Sequence, residues 1–179
     1  MKILAFGTSN YKNSINQQLA LYAASLFTEA TIDTLDLNDF EMPIFSLERE
    51  GKNGVPEHAH QFLQKIANAD VLVISLSEHN GTYSAAFKNI FDWASRITGK
   101  VFQDKPLLLL ATSNGARGGI AVLNSAIDRW KYMGGNIKAS FSLPEFEKNF
   151  DTTLGITSKE LKDKLLEAVE RTQQEAVLG

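Results

Sequence analysis

Hydrophobic and polar positions follow two rhythms along the chain, one typical of strands and one typical of helices. Short apolar runs are each followed by a longer stretch in which apolar residues recur every three or four positions. The runs predict five strands, at 3–6, 30–37, 70–76, 106–111 and 136–143. In the second run isoleucine and leucine alternate with aspartate, which is typical of a strand near the edge of a sheet.

Five helices are predicted from the longer stretches. Ser14 and Gln17 match a capping box at the start of the first helix, and Pro56 suits the first turn of the second. The fourth helix ends at the pair Gly134–Gly135, and the fifth begins at a second capping box, 157–160. The apolar faces consist of Ile15, Leu19, Tyr22 and Leu26; Ala59, Phe62, Leu63 and Ile66; Phe87, Ile90, Phe91, Ala94 and Ile97; Ile120, Leu123, Ile127 and Trp130; and Leu161, Leu165 and Val169.

The alternation of strands and helices predicts the fold class. It favours an α/β protein whose parallel sheet is covered on both faces. Because crossovers between parallel strands are right-handed, a doubly wound three-layer sandwich is the economical arrangement. For a five-stranded parallel sheet we expect the flavodoxin-like order 2-1-3-4-5. A length of 179 residues with 44% hydrophobic content suits a single domain over residues 1–179.

Composition and charge exclude several classes of partner. Eighteen basic and 21 acidic residues give a net charge of −3, which does not predict binding to nucleic acid or to an anionic membrane. The chain has no cysteine, so disulfides, thiolate catalysis and cysteine metal sites are excluded. Met1 and Lys2 lead directly into a strand, and no apolar run is long enough to cross a bilayer. We therefore expect a cytoplasmic protein.

Two polar loops follow the first and third predicted strands, which the expected strand order makes neighbours. In open α/β sheets, ligands bind at the carboxyl ends of the strands where the order reverses. Ser9, Ser14 and Asn16, together with the free N–H groups of a helix start, suit a phosphate group. The same residue types also cap helices and form turns, so both interpretations stay open. Neither loop has the glycine pattern of a dinucleotide fold or a P-loop.

The two loops resemble those of the NAD(P)H-dependent FMN reductases, a flavodoxin-like family that includes quinone, azo-dye and chromate reductases. The first loop is similar to the family pattern G-S-x-R-x-x-S-x-N, with Tyr11 where arginine is common. The run from Ser77 to Trp93 is similar to P-E-Y-N-G-S-x-x-x-x-L-K-N-x-x-D-W, with His79 in place of tyrosine. A third segment, 112–119, resembles the family's glycine turn after the fourth strand.

The resemblance implies that FMN passes a hydride from NAD(P)H to a small acceptor by a ping-pong mechanism. The acceptor would be a quinone, an azo compound, free flavin or a metal oxyanion. The chemistry belongs to the cofactor, so no catalytic side chain is predicted. The first loop would hold the FMN phosphate, and the other two would flank the isoalloxazine ring, mostly through backbone groups. The implied cofactor-binding residues are Ser9, Tyr11, Ser14, Ile15, Asn16, Glu78, His79, Asn80, Gly81, Asn114 and Gly115.

The resemblance also implies a homodimer or homotetramer. The apolar loop 42–45 is the candidate contact between subunits, but a role as a wall of the site and packing on its own domain are open alternatives. Two alternative functions stay open. A flavodoxin-type electron carrier would share the fold and FMN, although a net charge of −3 is weak for electrostatic docking. A ligand-sensing domain that has lost the cofactor is supported only by the departures at Tyr11 and His79. No metal site is predicted, because His58 and His60 lie two positions apart on a helix and face different sides.

Overall fold

The computed structural model describes residues 1–177, in which a six-stranded sheet lies between two layers of helices. Two 3₁₀ turns occupy Leu37–Phe40 and Lys131–Met133. The strands and helices in chain order are β1 (Lys2–Gly7), α1 (Ile15–Ser25), β2 (Thr31–Thr34), α2 (Leu47–Asn53), α3 (Glu57–Ala67), β3 (Val71–His79), β4 (Thr82–Tyr83), α4 (Ala85–Ile97), β5 (Pro106–Thr112), α5 (Ile120–Trp130), β6 (Asn136–Leu143), α6 (Phe146–Asn149), β7 (Phe150–Asp151), β8 (Gly155–Ile156) and α7 (Lys159–Val177).

The five principal strands are parallel and lie in the order β2-β1-β3-β5-β6. This is the predicted 2-1-3-4-5 order, renumbered because one strand is inserted. The inserted strand is β4, which pairs antiparallel with the end of β3, so the five-stranded prediction is corrected to six strands. Asn80 and Gly81 connect these two strands with φ angles of 51° and 80°. Two positive φ angles are what a two-residue type I′ hairpin turn requires.

Short elements occupy two segments, 38–55 and 144–156, in which the sequence predicted neither a helix nor a strand. One segment contains α2, and the other contains α6 and the antiparallel hairpin of β7 and β8. Residues 1–177 therefore contain seven α-helices rather than the predicted five. The second strand is shorter than predicted, and all four of its residues are exposed. Its position at the end of the sheet confirms the expectation of an edge strand.

The hydrophobic core forms two clusters on opposite faces of the sheet. One lies under α3, α4 and α5 and includes the buried Trp93 and Trp130, whereas the other lies under α1 and α7. Along β3, Leu72 and Ile74 belong to the first cluster and Val73 to the second, as the alternation of side chains across a strand requires. In the described residues, no helix is both long enough and apolar enough to cross a membrane.

Candidate functional site

Three loops meet at the carboxyl edge of the sheet, because they follow the adjacent strands β1, β3 and β5. Thr8 joins the first loop to the second. Its N–H donates to the Ser75 carbonyl at 2.9 Å, and its hydroxyl oxygen accepts from the Ser77 N–H at 2.9 Å. The Ser84 hydroxyl, which caps α4, donates to the Thr8 carbonyl at 2.6 Å. The start of α4 is thereby fixed against the first loop.

Asn16 joins the first helix to two strands from a position that is 2% exposed. Its side-chain oxygen accepts from the Ser75 hydroxyl at 2.7 Å and from the Thr112 N–H at 3.1 Å. Its amide nitrogen donates to the Thr112 carbonyl at 3.2 Å. The side chain is therefore engaged inside the protein. What Asn16 offers to a ligand is its backbone N–H at the start of α1.

The start of α1 presents donors that are suited to an anion. Ser14 is the N-cap and accepts from the Gln17 N–H at 3.2 Å, which leaves its hydroxyl proton able to donate. The amides of Ile15 and Asn16 have no acceptor within the helix, as at any helix start. These donors lie at the positive end of the helix dipole, where phosphate groups bind in other α/β proteins.

Gly7 allows this close approach of α1 to the end of β1. A Cβ atom at Gly7 would lie 2.4 Å from the Gln17 nitrogen. In addition, the Gly7 N–H donates to the Gln17 side-chain oxygen at 2.7 Å. The helix start is therefore held directly against the strand end.

The outer part of the first loop is exposed. The Ser9 hydroxyl oxygen accepts from the Tyr11 N–H at 3.1 Å, and the Tyr11 carbonyl accepts from the Ser14 N–H at 3.0 Å. The Tyr11 ring is 66% exposed, so it can reach a ligand above the loop. The neighbouring Lys12 is also exposed and brings a positive charge to a loop that lacks the family's arginine.

The second loop is the β3–β4 hairpin, and its predicted residues differ in orientation. His79, Asn80 and Gly81 are exposed at the turn. Glu78 is half-buried, and its carboxylate accepts from the Val122 N–H of α5 at 3.1 Å. This contact was not predicted from the sequence, because it joins residues that are 44 positions apart.

Tyr83, opposite Glu78 in the hairpin, packs inward. Its ring stacks on Trp130 with 6.2 Å between ring centroids. Its hydroxyl is buried without a hydrogen-bond partner in the described residues. Burial raises the pKa of Tyr83 above its usual value, although the nearby Ser125 and Trp130 side chains oppose the shift. The hairpin therefore presents its turn to solvent and its aromatic ring to the core.

The third loop, 113–119, is exposed at the predicted residues Asn114 and Gly115. It is held by hydrogen bonds to residues that follow β6. The Asn114 amide donates to the Glu147 carboxylate at 2.8 Å. The Gly115 carbonyl accepts from the N–H groups of Gly118 at 3.2 Å and Glu145 at 3.1 Å. This support was not predicted from the sequence, because Glu145 and Glu147 follow the next strand and no local pattern connects them to the glycine turn.

All eleven predicted positions thus lie on three loops or helix starts at one edge of the sheet. The structure adds Thr8 and Ser84 to them as residues that fix the first two loops together. A direct contact of any of these residues with FMN stays a prediction.

Comparison with known proteins identifies the family of this chain. Residues 1–148 match the model of a family described as NADPH-dependent FMN reductase. The chain belongs to this family. Among its relatives, this FMN reductase family member is 37% identical over 120 residues to a 2-hydroxy-1,4-benzoquinone reductase from a Burkholderia species. It is 31% identical over 123 residues to an NADPH:quinone oxidoreductase from Arabidopsis thaliana. Each match covers 66% of the chain, but only 63% and 61% of the respective relative, less than two thirds of either.

Solved structures agree with this fold. FerB, a flavoenzyme NAD(P)H:(acceptor) oxidoreductase from Paracoccus denitrificans, matches the family member with a TM-score of 0.78 at 19% identity, covering 99% of this chain and 97% of FerB. The apo form of the NADH:FMN oxidoreductase EMOB matches with a TM-score of 0.73 at 18% identity, covering 97% of this chain and 89% of EMOB. At these identities the likeness supports the fold.

Proposed function

We propose that this family member binds FMN where the three loops meet and passes a hydride from NAD(P)H to a small acceptor. The observation that carries the proposal is the start of α1. There the Ser14 hydroxyl proton and the N–H groups of Ile15 and Asn16 lie at the positive end of the helix, on the loop that Thr8 joins to β3 and its hairpin. A phosphate monoester would gain several hydrogen bonds and a favourable dipole at this place. The exposed Lys12 adds a positive charge to the same loop.

Bound FMN would supply the hydride chemistry, which no side chain of the chain can supply. The protein's own residues would hold and orient the ring. Asn80 and Gly81 expose backbone groups that suit the polar edge of a flavin. Asn114 and Gly115 would flank the opposite side, where the absence of a Cβ atom at Gly115 permits close approach. If one face of the ring is used first by the donor and then by the acceptor, the kinetics would be ping-pong.

For the acceptor we propose a quinone. The two relatives with 37% and 31% identity are both named for activity on quinones. The competing acceptors are azo compounds, free flavin and metal oxyanions, and comparative turnover rates distinguish them. The proposal includes a cytoplasmic location, because the reaction consumes NAD(P)H.

The decisive experiment is a visible absorption spectrum of the purified protein with FMN, recorded before and after anaerobic addition of NADPH or NADH. We expect the flavin to bind, to bleach with one or both nucleotides, and to regain its colour when a benzoquinone is added. A bound flavin that neither nucleotide bleaches would favour an electron carrier. A protein that binds no FMN would favour the ligand-sensing domain. With a quinone acceptor, double-reciprocal plots should be parallel, and intersecting lines would contradict the ping-pong mechanism.

We also propose a homodimer or homotetramer in which loop 42–45 lies at the contact. Part of this loop packs on its own subunit: Met42 is buried, and Phe45 contacts Trp93 with 5.0 Å between ring centroids. Ile44, in contrast, is 75% exposed. Ile44 lines a cavity of about 280 Å³ together with Asn10 of the first loop. A partner subunit that covers Ile44 would therefore lie next to the proposed phosphate site.

A further inference from the structure

The start of α5 lacks a cap of its own. Its N-cap is Gly119, which has no side chain, and its first turn contains no acidic residue. A residue with a side chain is disfavoured at position 119, because the φ angle of Gly119 is 75° and an added Cβ atom would lie 3.1 Å from the Cβ atom of Ala111. The hydrogen-bond acceptor and the negative charge that stabilise a helix start must therefore come from another element.

Glu78 provides both from the end of β3. Its carboxylate accepts from the N–H of Val122, the third residue of α5, at 3.1 Å. This is one of the amides that an N-cap side chain ordinarily satisfies. The carboxylate is half-buried, and its charge lies at the positive end of the helix dipole. Glu78 thus replaces the cap that Gly119 cannot provide.

The contact also joins two sides of the candidate site. Glu78 directly precedes the exposed turn at 79–81, and Gly119 directly follows the glycine turn at 114–118. In residues 1–177, no other hydrogen bond connects residues 78–83 to residues 113–122. The β3–β5 ladder ends at Ser77 and Thr112, and beyond it the carboxylate is the polar link between the hairpin and the glycine turn.

We infer that Glu78 is a positioning residue whose carboxylate caps α5 and thereby sets the spacing between the hairpin and the glycine turn. This inference rests on the proposed function insofar as that spacing accommodates the flavin ring. Glu78 does not touch the reacting atoms. It acts through the two loops that it holds.

Three variants test the inference. Glu78→Ala removes the acceptor, whereas Glu78→Gln keeps a side-chain oxygen that can accept from Val122. Ser158→Ala is the matched control, because the Ser158 hydroxyl accepts from the Leu161 N–H at the start of α7, outside the three loops. Both alanine variants should lower the melting temperature of the apoprotein by about 2–4 °C through loss of a helix cap.

FMN affinity separates positioning from simple capping. In fluorescence titrations at a temperature where every variant is folded, we expect Glu78→Ala to weaken FMN binding by about tenfold or more. The reason is that the spacing between the hairpin and the glycine turn, which would flank the flavin ring, is no longer fixed. Glu78→Gln should stay within about threefold of the parent, because the acceptor is kept. Ser158→Ala should bind FMN as the parent does. If Glu78→Gln keeps the melting temperature of the parent and yet binds FMN as weakly as Glu78→Ala, the charge acts on the flavin directly and the inference is wrong.

Amide hydrogen exchange of the apoprotein provides a measurement that needs no cofactor. Glu78→Ala should speed exchange at Val122 and in both flanking segments, 79–82 and 114–118, whereas Ser158→Ala should leave these segments unchanged. Faster exchange at Val122 alone, with FMN affinity unchanged, would reduce Glu78 to an ordinary helix cap. Because this measurement is independent of FMN, the positioning inference can fail or succeed separately from the proposed function.

Discussion

At the scale of single residues, the buried amide of Asn16 connects α1, β3 and β5. Replacing Asn16 with alanine would leave the buried N–H and C=O groups of Thr112 without their side-chain partner. We expect Asn16→Ala to lower the free energy of unfolding by about 2–4 kcal/mol, measured by urea denaturation. The loss should appear without any ligand, because all three hydrogen bonds lie inside the protein.

Gln18→Ala is the control for this measurement. In residues 1–177, the Gln18 side-chain amide donates a single hydrogen bond, to the Asn13 carbonyl at 3.5 Å near the surface. Its loss should change the free energy of unfolding by no more than about 0.5 kcal/mol. If the two variants unfold at the same urea concentration, water replaces the Asn16 amide and the connection does not stabilise the fold.

The same residue shows what a sequence can and cannot predict about a site. Ser14 was predicted as a helix cap from residues within three positions of it, and the structure confirms this cap. The partners of Asn16 lie 59 and 96 residues away, so no local pattern contains them. The inward role of the Glu78 carboxylate was missed for the same reason. Local chemistry was predictable, whereas the partners chosen across the sheet required the fold.

At the scale of elements, the Asn80–Gly81 turn determines the shape of the second loop. Gly81 has a φ angle of 80°, and a Cβ atom there would meet no other atom within 4 Å. Gly51 has the same open space but lies inside α2 and has no positive φ angle. Gly81→Ala should therefore destabilise the protein by about 1–2 kcal/mol through backbone conformation alone. Gly51→Ala should instead stabilise the protein by about 0.5–1 kcal/mol, because a helix interior favours alanine. Thermal unfolding of both variants measures this difference in sign.

If both substitutions destabilise the protein, side-chain packing around position 51, rather than backbone conformation, would determine the effect of Gly51→Ala. FMN titration of Gly81→Ala adds a second comparison. If the turn presents its backbone to the flavin, affinity should fall in this variant and stay unchanged in Gly51→Ala.

The elements that were missed are those with a weak periodic signal. The helix α2 has no buried residue, so its sequence shows no apolar stripe. The strand β4 is only two residues long, although Asn80–Gly81 is a strong hairpin signal that could have revealed it. The central strands β1, β3 and β5 were predictable because they are buried on both faces and stand out as continuous apolar runs. Their order followed from general rules of α/β topology.

At the scale of the whole molecule, the exposed Ile44 makes oligomerisation testable. We expect analytical ultracentrifugation at micromolar concentration to show a dimer or tetramer. Ile44→Glu should shift it toward the monomer, because an apolar contact would have to bury a charge. Leu154→Glu is the matched control, since Leu154 is 71% exposed at the turn between β7 and β8.

A monomeric parent protein would contradict the proposed assembly. Equal dissociation by Ile44→Glu and Leu154→Glu would place the contact elsewhere. The prediction that residues 1–179 form one domain belongs to this scale as well, and limited proteolysis tests it by the presence or absence of separable fragments.

The strand order has a further consequence for biosynthesis. After β3 leaves the ribosome, β5 and then β6 add to the same side of the growing sheet. A nascent chain that ends before Pro106 therefore has β3 as its outermost strand on that side. The apolar stretch Val71–Leu76 then pairs with β1 along one edge and has no partner along the other. Such an edge is a template for association with other chains. We therefore expect association with other chains to be most favourable in the interval between the synthesis of β3 and that of β5, when a chaperone or rapid translation would protect the chain most.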